Sequence, residues 1–315
     1  MSSKITIIGA GNVGSTIAYT LANDDIASEI VMIDINKEKV EGEVMDIIQG
    51  TSFRDPISII AGDYEDAKDS DIVIITSGIG RKPGQSRLDL AQTNVNIMKS
   101  LAPQIAAVAP NAKYIIVSNP VDIMTYVFMK VSGIPEKQVI GSGTILDSAR
   151  LRCGISEHFD VAQKNVHAYV FGEHGDTSFI PWSCASIAAV PVDKYTEAMQ
   201  AIGRDVEPID KEEMIDYVRK SGGKIIARKG ATFYAVSASV CQLVSKLVAA
   251  SESIVTVSAM MHGEYGIEDV CLSTLSLIGP NGNEGQVHVD LTEEEVEKLR
   301  FSADALKAII AQIDI

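Results

Sequence analysis

Short apolar runs alternate with stretches of helical spacing through the first half of the chain. Ile5, Ile7 and Ile8 make one run; residues 30–33, 57–61, 71–76 (DIVIIT) and 113–118 (KYIIVS) make four more. Each is bounded by Gly, Pro, Asn, Asp or Ser, as strands buried on both faces are. Between the runs, Ile17 with residues 19–21, and then Val40, Val44 and Ile47 closed by Gly50, carry the periodicity of helices. Further helices are predicted over about 88–108 and 121–131, and a last short strand over 139–143. Strands alternating with helices imply right-handed crossovers and a parallel sheet. Beyond Gly143 the pattern changes. A helix over 144–153 and a β-rich run over 166–171 precede helices near 209–228 and 231–250 and strands near 254–260 and 270–277. Thr292 with Glu295 forms the capping box of a final helix. The fold class expected is α/β: a Rossmann doubly wound parallel sheet over 1–143, then an α+β domain over 144–315.

The first apolar run leads directly into Gly9-Ala10-Gly11-Asn12-Val13-Gly14. That G-x-G-x-x-G spacing means little alone, but between a strand and a helix it marks a dinucleotide site. Gly9 permits the tight turn, Gly11 lets the backbone approach a pyrophosphate, and Gly14 lets the helix pack close to the strand. The helix N-terminus then offers free N–H groups to the phosphates. The second run ends in Asp34, twenty residues past Gly14. An acid there accepts from a ribose 2′-hydroxyl and repels a 2′-phosphate, which argues for NAD over NADP. In such sheets ligands sit beyond the carboxyl ends of the strands. The segments after Asp34, Thr76 and Ser118 should therefore border one crevice. The cofactor-binding candidates are Gly9, Gly11, Asn12, Val13, Gly14, Asp34, Thr76, Gly78, Ser118 and Asn119.

Composition narrows the partners. The 315 residues carry a net charge of −15, which disfavours nucleic acid and anionic membrane. No apolar run approaches the length of a membrane span, and the first strand starts near Lys4, so no signal peptide is expected. The four cysteines, Cys153, Cys184, Cys241 and Cys271, form no C-x-x-C pair. They suggest free thiols in a reducing, cytoplasmic setting, with no zinc site and no metal requirement.

Four segments carry candidate chemistry. The loop after Thr76 holds Gly78, Gly80 and Gly84 with the cations Arg81, Lys82 and Arg87, a composition suited to closing over an anion. Asn119, at the end of a strand, can bond a substrate or cofactor carbonyl, or can simply form a turn. His174 sits between Glu173 and Gly175, close after an apolar run, and a histidine is the natural proton donor near neutral pH. Asp147 and Arg150 are three apart on one helix and so lie near each other. An aspartate could orient a histidine ring, and an arginine suits a carboxylate anchor. Spacing alone does not pair His174 with Asp147.

The segments GAGNVG, VMIDIN, RKPGQSRLDL, VSNPVDI, GSGTILDSARLR, NVHAYVFGEHGDT and KGATFYA occur in this order along the chain. Together they resemble the L-lactate/malate dehydrogenase family over essentially the whole length. The resemblance implies that His174 is the general acid/base with Asp147 as its partner. It implies that Arg150 holds the substrate carboxylate, that Arg87 polarises the carbonyl, and that Asn119 binds near the carbonyl and the nicotinamide. Thr232 and Val236 would line the pocket, Val236 on the cofactor side. Within the family, GSGTILDSARLR, GEHGDT and KGATFYA resemble the lactate branch, as do Gln85 and Thr232. Arg81, just before Lys-Pro-Gly, resembles the malate branch, where a second substrate carboxylate needs a bidentate cation. The expected substrates are therefore pyruvate and lactate, with oxaloacetate and malate as the alternative. Arg152 and His167 match positions at which allosteric bacterial relatives bind fructose 1,6-bisphosphate between subunits, and the resemblance implies a homotetramer. Two other classes share such a nucleotide domain: an NAD-dependent glycosidase, which would need a metal-binding Cys/His set, and a non-catalytic NAD-binding regulator, which would need no His/Asp/Arg constellation.

Overall fold

The computed structural model describes residues 3–80 and 87–315, with the side chain of Arg87 outside that description. The first half runs β1 (Lys4–Ile8), α1 (Asn12–Asn23), β2 (Glu29–Ile33), α2 (Lys37–Gly50), β3 (Ser58–Ala61), β4 (Ile72–Ile75), α3 (Arg87–Val108), β5 (Lys113–Ile116), α4 (Val121–Ser132) and β6 (Val139–Gly141). The second half runs α5 (Ile145–Phe159), β7 (Val166–His167), β8 (Ser186–Ile187), β9 (Val190–Pro191), α6 (Val192–Gln200), α7 (Lys211–Lys229), α8 (Tyr234–Val248), β10 (Ser253–His262), β11 (Glu268–Gly279), β12 (Gly282–Gln286) and α9 (Glu293–Ile310).

β3, β2, β1, β4, β5 and β6 lie side by side in that order, and all their pairings are parallel. The order reverses between β1 and β4, so the carboxyl ends of these two strands open the crevice. The period-two rule sorts their side chains cleanly. Ile72 and Ile74 of β4 join Ile5, Ile7 and the α1 and α8 side chains on one face, while Val73 and Ile75 join α3 and α4 on the other. Thr6 is the polar exception in β1; it is fully buried and shares a hydrogen bond with Ser70 Oγ at 2.8 Å.

The second half does not build its own large sheet. β10 pairs antiparallel with β6 at Ser258 and Gly141, and β11 and β12 follow, so one nine-stranded sheet crosses both halves. A separate three-stranded sheet of β7, β8 and β9 packs with α5, α6 and α7 around a third apolar cluster containing Leu151, Ile155 and Phe159.

Three sequence expectations change. The helix predicted over 144–153 continues to Phe159 and stops at Asp160, which takes a left-handed φ of 52°. Gly154 does not end it; a Cβ there would lie 2.7 Å from Met214 Sδ, so this glycine is a spacer that lets α5 and α7 approach. The β-rich run over 166–171 forms a ladder only at Val166–His167; Phe171 makes a single bridge to Phe179, and Gly172 one to Ser273. Strand β12, with glycines at 282 and 285, carries no apolar alternation that would have announced it. No described helix is long and apolar enough to cross a membrane.

Candidate active site

A cleft of about 870 Å³ opens at the carboxyl ends of β1, β2 and β4. Gly9, Gly11, Asp34, Thr76 and Gly78 line it, together with Ile35, Tyr64, Ile79, Ile97 and Leu101. The glycine turn is built as its spacing requires. Gly9 takes φ +107°, and a Cβ on Gly14 would lie 1.8 Å from Gly9 O, so only glycine lets α1 start there. Nothing lies within 4 Å of the place a Gly11 Cβ would occupy, so that flank of the turn is open. No side chain caps α1, which leaves its first N–H groups for an anion. Asp34 Oδ2 accepts from Ala10 N at 2.6 Å and Oδ1 from Asn36 N at 2.9 Å. The carboxylate thus holds the turn from below while it faces the cleft. Ile35 beside it is fully exposed, an apolar surface suited to a flat ring. These residues fit a dinucleotide lacking a 2′-phosphate.

The second cluster sits on α5 and the segment after β7. Asp147 and Arg150, one turn apart, are joined by Arg150 Nη1 to Asp147 Oδ1 at 2.9 Å. Asp147 Oδ2 lies 2.5 Å from His174 Nδ1. The fold therefore brings together the pair that spacing could not. Asp147 is 5 % exposed, and burial works to raise its pKa; the charges and hydrogen bonds of His174 and Arg150 outweigh that and hold it below the usual carboxylate range. The neighbouring Asp147 charge pushes His174 up to about 9, against the opposing effect of burial. A bond at Nδ1 leaves Nε2 as the proton-carrying atom able to meet a ligand. The arrangement can deliver a proton from a positioned imidazolium beside a guanidinium.

Two buried residues that the sequence did not single out brace this region. Asn94 on α3 is 2 % exposed; its Oδ1 accepts from Ile79 N at 2.9 Å and its Nδ2 donates to Asn119 O at 2.7 Å. It ties the segment after β4 to the turn after β5. Asp122, at the start of α4, accepts from His174 N at 2.8 Å and from Ser258 Oγ at 2.5 Å. Neither had a readable signal: a polar residue in an amphipathic helix and an acid in a first helical turn are both commonplace.

The remaining candidates divide. Ser118 is buried, and its hydroxyl donates to Ser77 O at 2.5 Å, so it fixes the loop after β4. Asn119 is exposed at the end of β5, next to a cis bond to Pro120. Asn12, Val13 and Gly14 form the first turn of α1, and Val13 O accepts from Ser237 Oγ at 3.3 Å, which places Val236 of α8 beside the turn. Thr232 is half-buried just ahead of α8. Arg81 and Gln85 lie outside the described residues, as does the side chain of Arg87. Among the described residues no group of three or more His, Cys, Asp or Glu could hold a metal ion.

Arg152 and His167 line a separate cleft of about 620 Å³ between α5 and α8, with Lys164, Lys246, Gln163 and Gln242. Arg152 Nε donates to Ala168 O at 3.2 Å and its guanidinium lies 5.7 Å from the Tyr169 ring centre. No carboxylate lines this cleft among the described residues.

Comparison with known proteins identifies the family. The sequence model of the lactate/malate dehydrogenase NAD-binding domain matches residues 3–141, and that of the family's α/β C-terminal domain matches 144–314. The chain is 46 % identical over 312 residues to an L-lactate dehydrogenase of Acetivibrio thermocellus, covering 99 % of this chain and 98 % of that one. It is 44 % identical over 313 residues to an L-lactate dehydrogenase of a Thermoanaerobacter species, covering 99 % and 100 %. Among solved structures it matches the minor L-lactate dehydrogenase of Enterococcus mundtii in a ligand-bound form, with a TM-score of 0.94, 35 % identity and coverage of 100 % and 99 %. With both family models spanning nearly the whole chain and relatives of this identity aligned end to end, the chain belongs to the lactate/malate dehydrogenase family of NAD-dependent oxidoreductases.

Proposed function

We propose that this protein is an L-lactate dehydrogenase interconverting pyruvate and (S)-lactate, with 1–143 as the cofactor half and 144–315 as the substrate half. The observation that carries the chemistry is the Asp147–His174 contact with Arg150 alongside. NADH, when bound, supplies a hydride to the keto carbon. His174 gives the proton to the carbonyl oxygen, so pyruvate, one hydride and one proton become lactate. Asp147 keeps the imidazolium protonated and fixes its tautomer. Arg150 uses the donors not engaged by Asp147 to bind the substrate carboxylate. Arg87 polarises the carbonyl, where negative charge develops in the transition state, which is why its effect falls on rate more than on binding. Asn119 orients the carbonyl, and Thr232 and Val236 line the pocket. Similarity to the L-lactate dehydrogenases named above supports the pyruvate reading. Arg81 favours the second reading, oxaloacetate, because a cation facing a methyl group would be left unpaired.

The cleft with Arg152, Lys164, His167 and Lys246 is the site we assign to fructose 1,6-bisphosphate, since three cations and a histidine without an acid suit two phosphates. The protein is expected to act as a cytoplasmic homotetramer. The test is NADH oxidation with pyruvate and with oxaloacetate, each with and without fructose 1,6-bisphosphate. Faster turnover of pyruvate supports the proposal, and activation lost in Arg152→Ala supports the phosphate site. A clear preference for oxaloacetate that Arg81→Gln reverses would replace lactate with malate.

A further inference from the structure

Asp122 is a carboxylate at 2 % exposure on the first turn of α4, three residues beyond Asn119. Acids are common in that position because the helix dipole favours them. This one does not cap its own helix. Its Oδ2 accepts the backbone N–H of His174 at 2.8 Å, and its Oδ1 accepts the Ser258 hydroxyl at 2.5 Å. Ser258 is fully buried on β10, at the position where that strand pairs with β6. The one side chain therefore links the turn carrying Asn119, the segment carrying His174 and the strand that joins the two halves of the sheet.

A buried carboxylate is costly to keep. Burial pushes Asp122 up to about 6, with the two hydrogen bonds, the charge of His174 and the opposing charge of Glu173 acting on it in turn. An amide or a hydroxyl would fill the space with less penalty. What neither supplies is two acceptor oxygens together with a negative charge beside the imidazolium. The charged groups acting on His174 are Asp147 and Arg150 from α5 and Asp122 from α4, and the two aspartates both favour its protonated form. Asp147 reaches the ring at Nδ1, while Asp122 holds the backbone of the same residue from the opposite element. On the far side the adjoining segment is anchored again: Glu173 N donates to Ser302 Oγ of α9 at 2.8 Å.

We infer that Asp122 is a positioning residue for the proton-transfer step, fixing the His174 backbone against the Asn119 turn and adding a second negative charge behind the imidazolium. This rests on His174 being the acid/base group proposed above. The experiment compares the full-length enzyme with Asp122→Asn, Ser258→Ala and His174→Asn. It measures kcat and kcat/KM for pyruvate across pH, with NADH affinity read by fluorescence titration. Asp122→Asn retains an acceptor for the His174 N–H and loses the charge. It is expected to keep the NADH Kd within about twofold, to lower kcat by about tenfold, and to move the alkaline midpoint of kcat/KM to lower pH. A residue that only supports the fold would lower the amount of active enzyme without moving that midpoint. An unchanged midpoint together with parental kcat overturns the inference, as does a loss of kcat that tracks a loss of NADH binding. Where Asp122→Asn does not fold, Ser258→Ala decides. It leaves the charge but frees one carboxylate oxygen, so a kcat lowered by a few-fold at unchanged NADH Kd supports the inference, and parental kcat overturns it. His174→Asn tests the underlying reading separately: if it retains turnover, the acid/base assignment fails whatever Asp122 does.

Discussion

Replacing Asp147 by Asn removes the group that most strongly favours the His174 imidazolium. The rise from 6.5 to about 9 corresponds to roughly 3 kcal/mol in favour of the protonated ring. Burial acts in the other direction, so without the Asp147 charge the ring returns toward its ordinary value. At pH 7.5 the parent imidazole is almost wholly protonated, whereas a ring titrating near 6.5 is protonated to roughly one-tenth. Pyruvate reduction needs that proton. The kcat/KM of Asp147→Asn for pyruvate at pH 7.5 should therefore fall by about tenfold from protonation alone. A further pH-independent loss is expected because an amide no longer selects the reactive tautomer. The assay is initial-rate NADH absorbance at saturating NADH from pH 5.5 to 10. The alkaline midpoint should lie near 9 in the parent and move down by more than one pH unit in the variant. A midpoint that stays near 9 in Asp147→Asn would refute the reasoning, because it would assign that titration to another group.

Lactate oxidation requires the neutral ring, so its kcat/KM should rise through pH 9 in the parent, checked in the reverse assay. The same titration enters stability: a group whose pKa is raised on folding stabilises the fold fully below 6.5, and that contribution disappears as pH climbs through 9. Urea unfolding at fixed protein concentration should show up to about 3 kcal/mol lost between these limits, less whatever other groups contribute. Gly14→Ala should abolish NADH binding or folding, because the added carbon meets Gly9 O at 1.8 Å; retention of parental Tm and fluorescence enhancement would disprove the tight turn. Asp34→Ser should raise the NADPH-to-NADH ratio of kcat/KM and weaken NADH, since it removes both the repelling charge and the bond to Ala10 N. Asn94→Ala leaves Ile79 N and Asn119 O without their partner, and equilibrium unfolding should record about 1–3 kcal/mol of destabilisation.

The parallel half of the sheet and its cofactor turn were readable because their signals are local. Glycine spacing, an apolar run and an acid at the next strand end all fall within 34 residues. The proton-transfer pair was readable only in part. Asp147 and Arg150 share a helix, but His174 meets Asp147 from 27 positions further along the chain, and that pairing came from resemblance, not from spacing. Asp122 and Ser258 are 136 positions apart, and nothing in either neighbourhood announces the other. The continuation of the sheet into β10, β11 and β12 was likewise hidden. Alternation tells a strand which faces it buries, but not which edge it joins. The extension of α5 past residue 153 was hidden as well, because Gly154 serves a contact with α7 that exists only once the helices are packed.

The join between β6 and β10 bears on how the molecule can be divided. Family boundaries fall at 141 and 144, which invites cutting the chain there. Such a cut would leave β6, whose own Val139 and Ile140 are buried, paired with β5 on one side and without its β10 partner on the other. Open edges of that kind recruit other strands. The excised first half should thus be sticky and short of its own stability, whereas a circular permutant that keeps β6 and β10 in one chain should remain well behaved. The unit that folds, and that would be inherited intact, is the whole sheet.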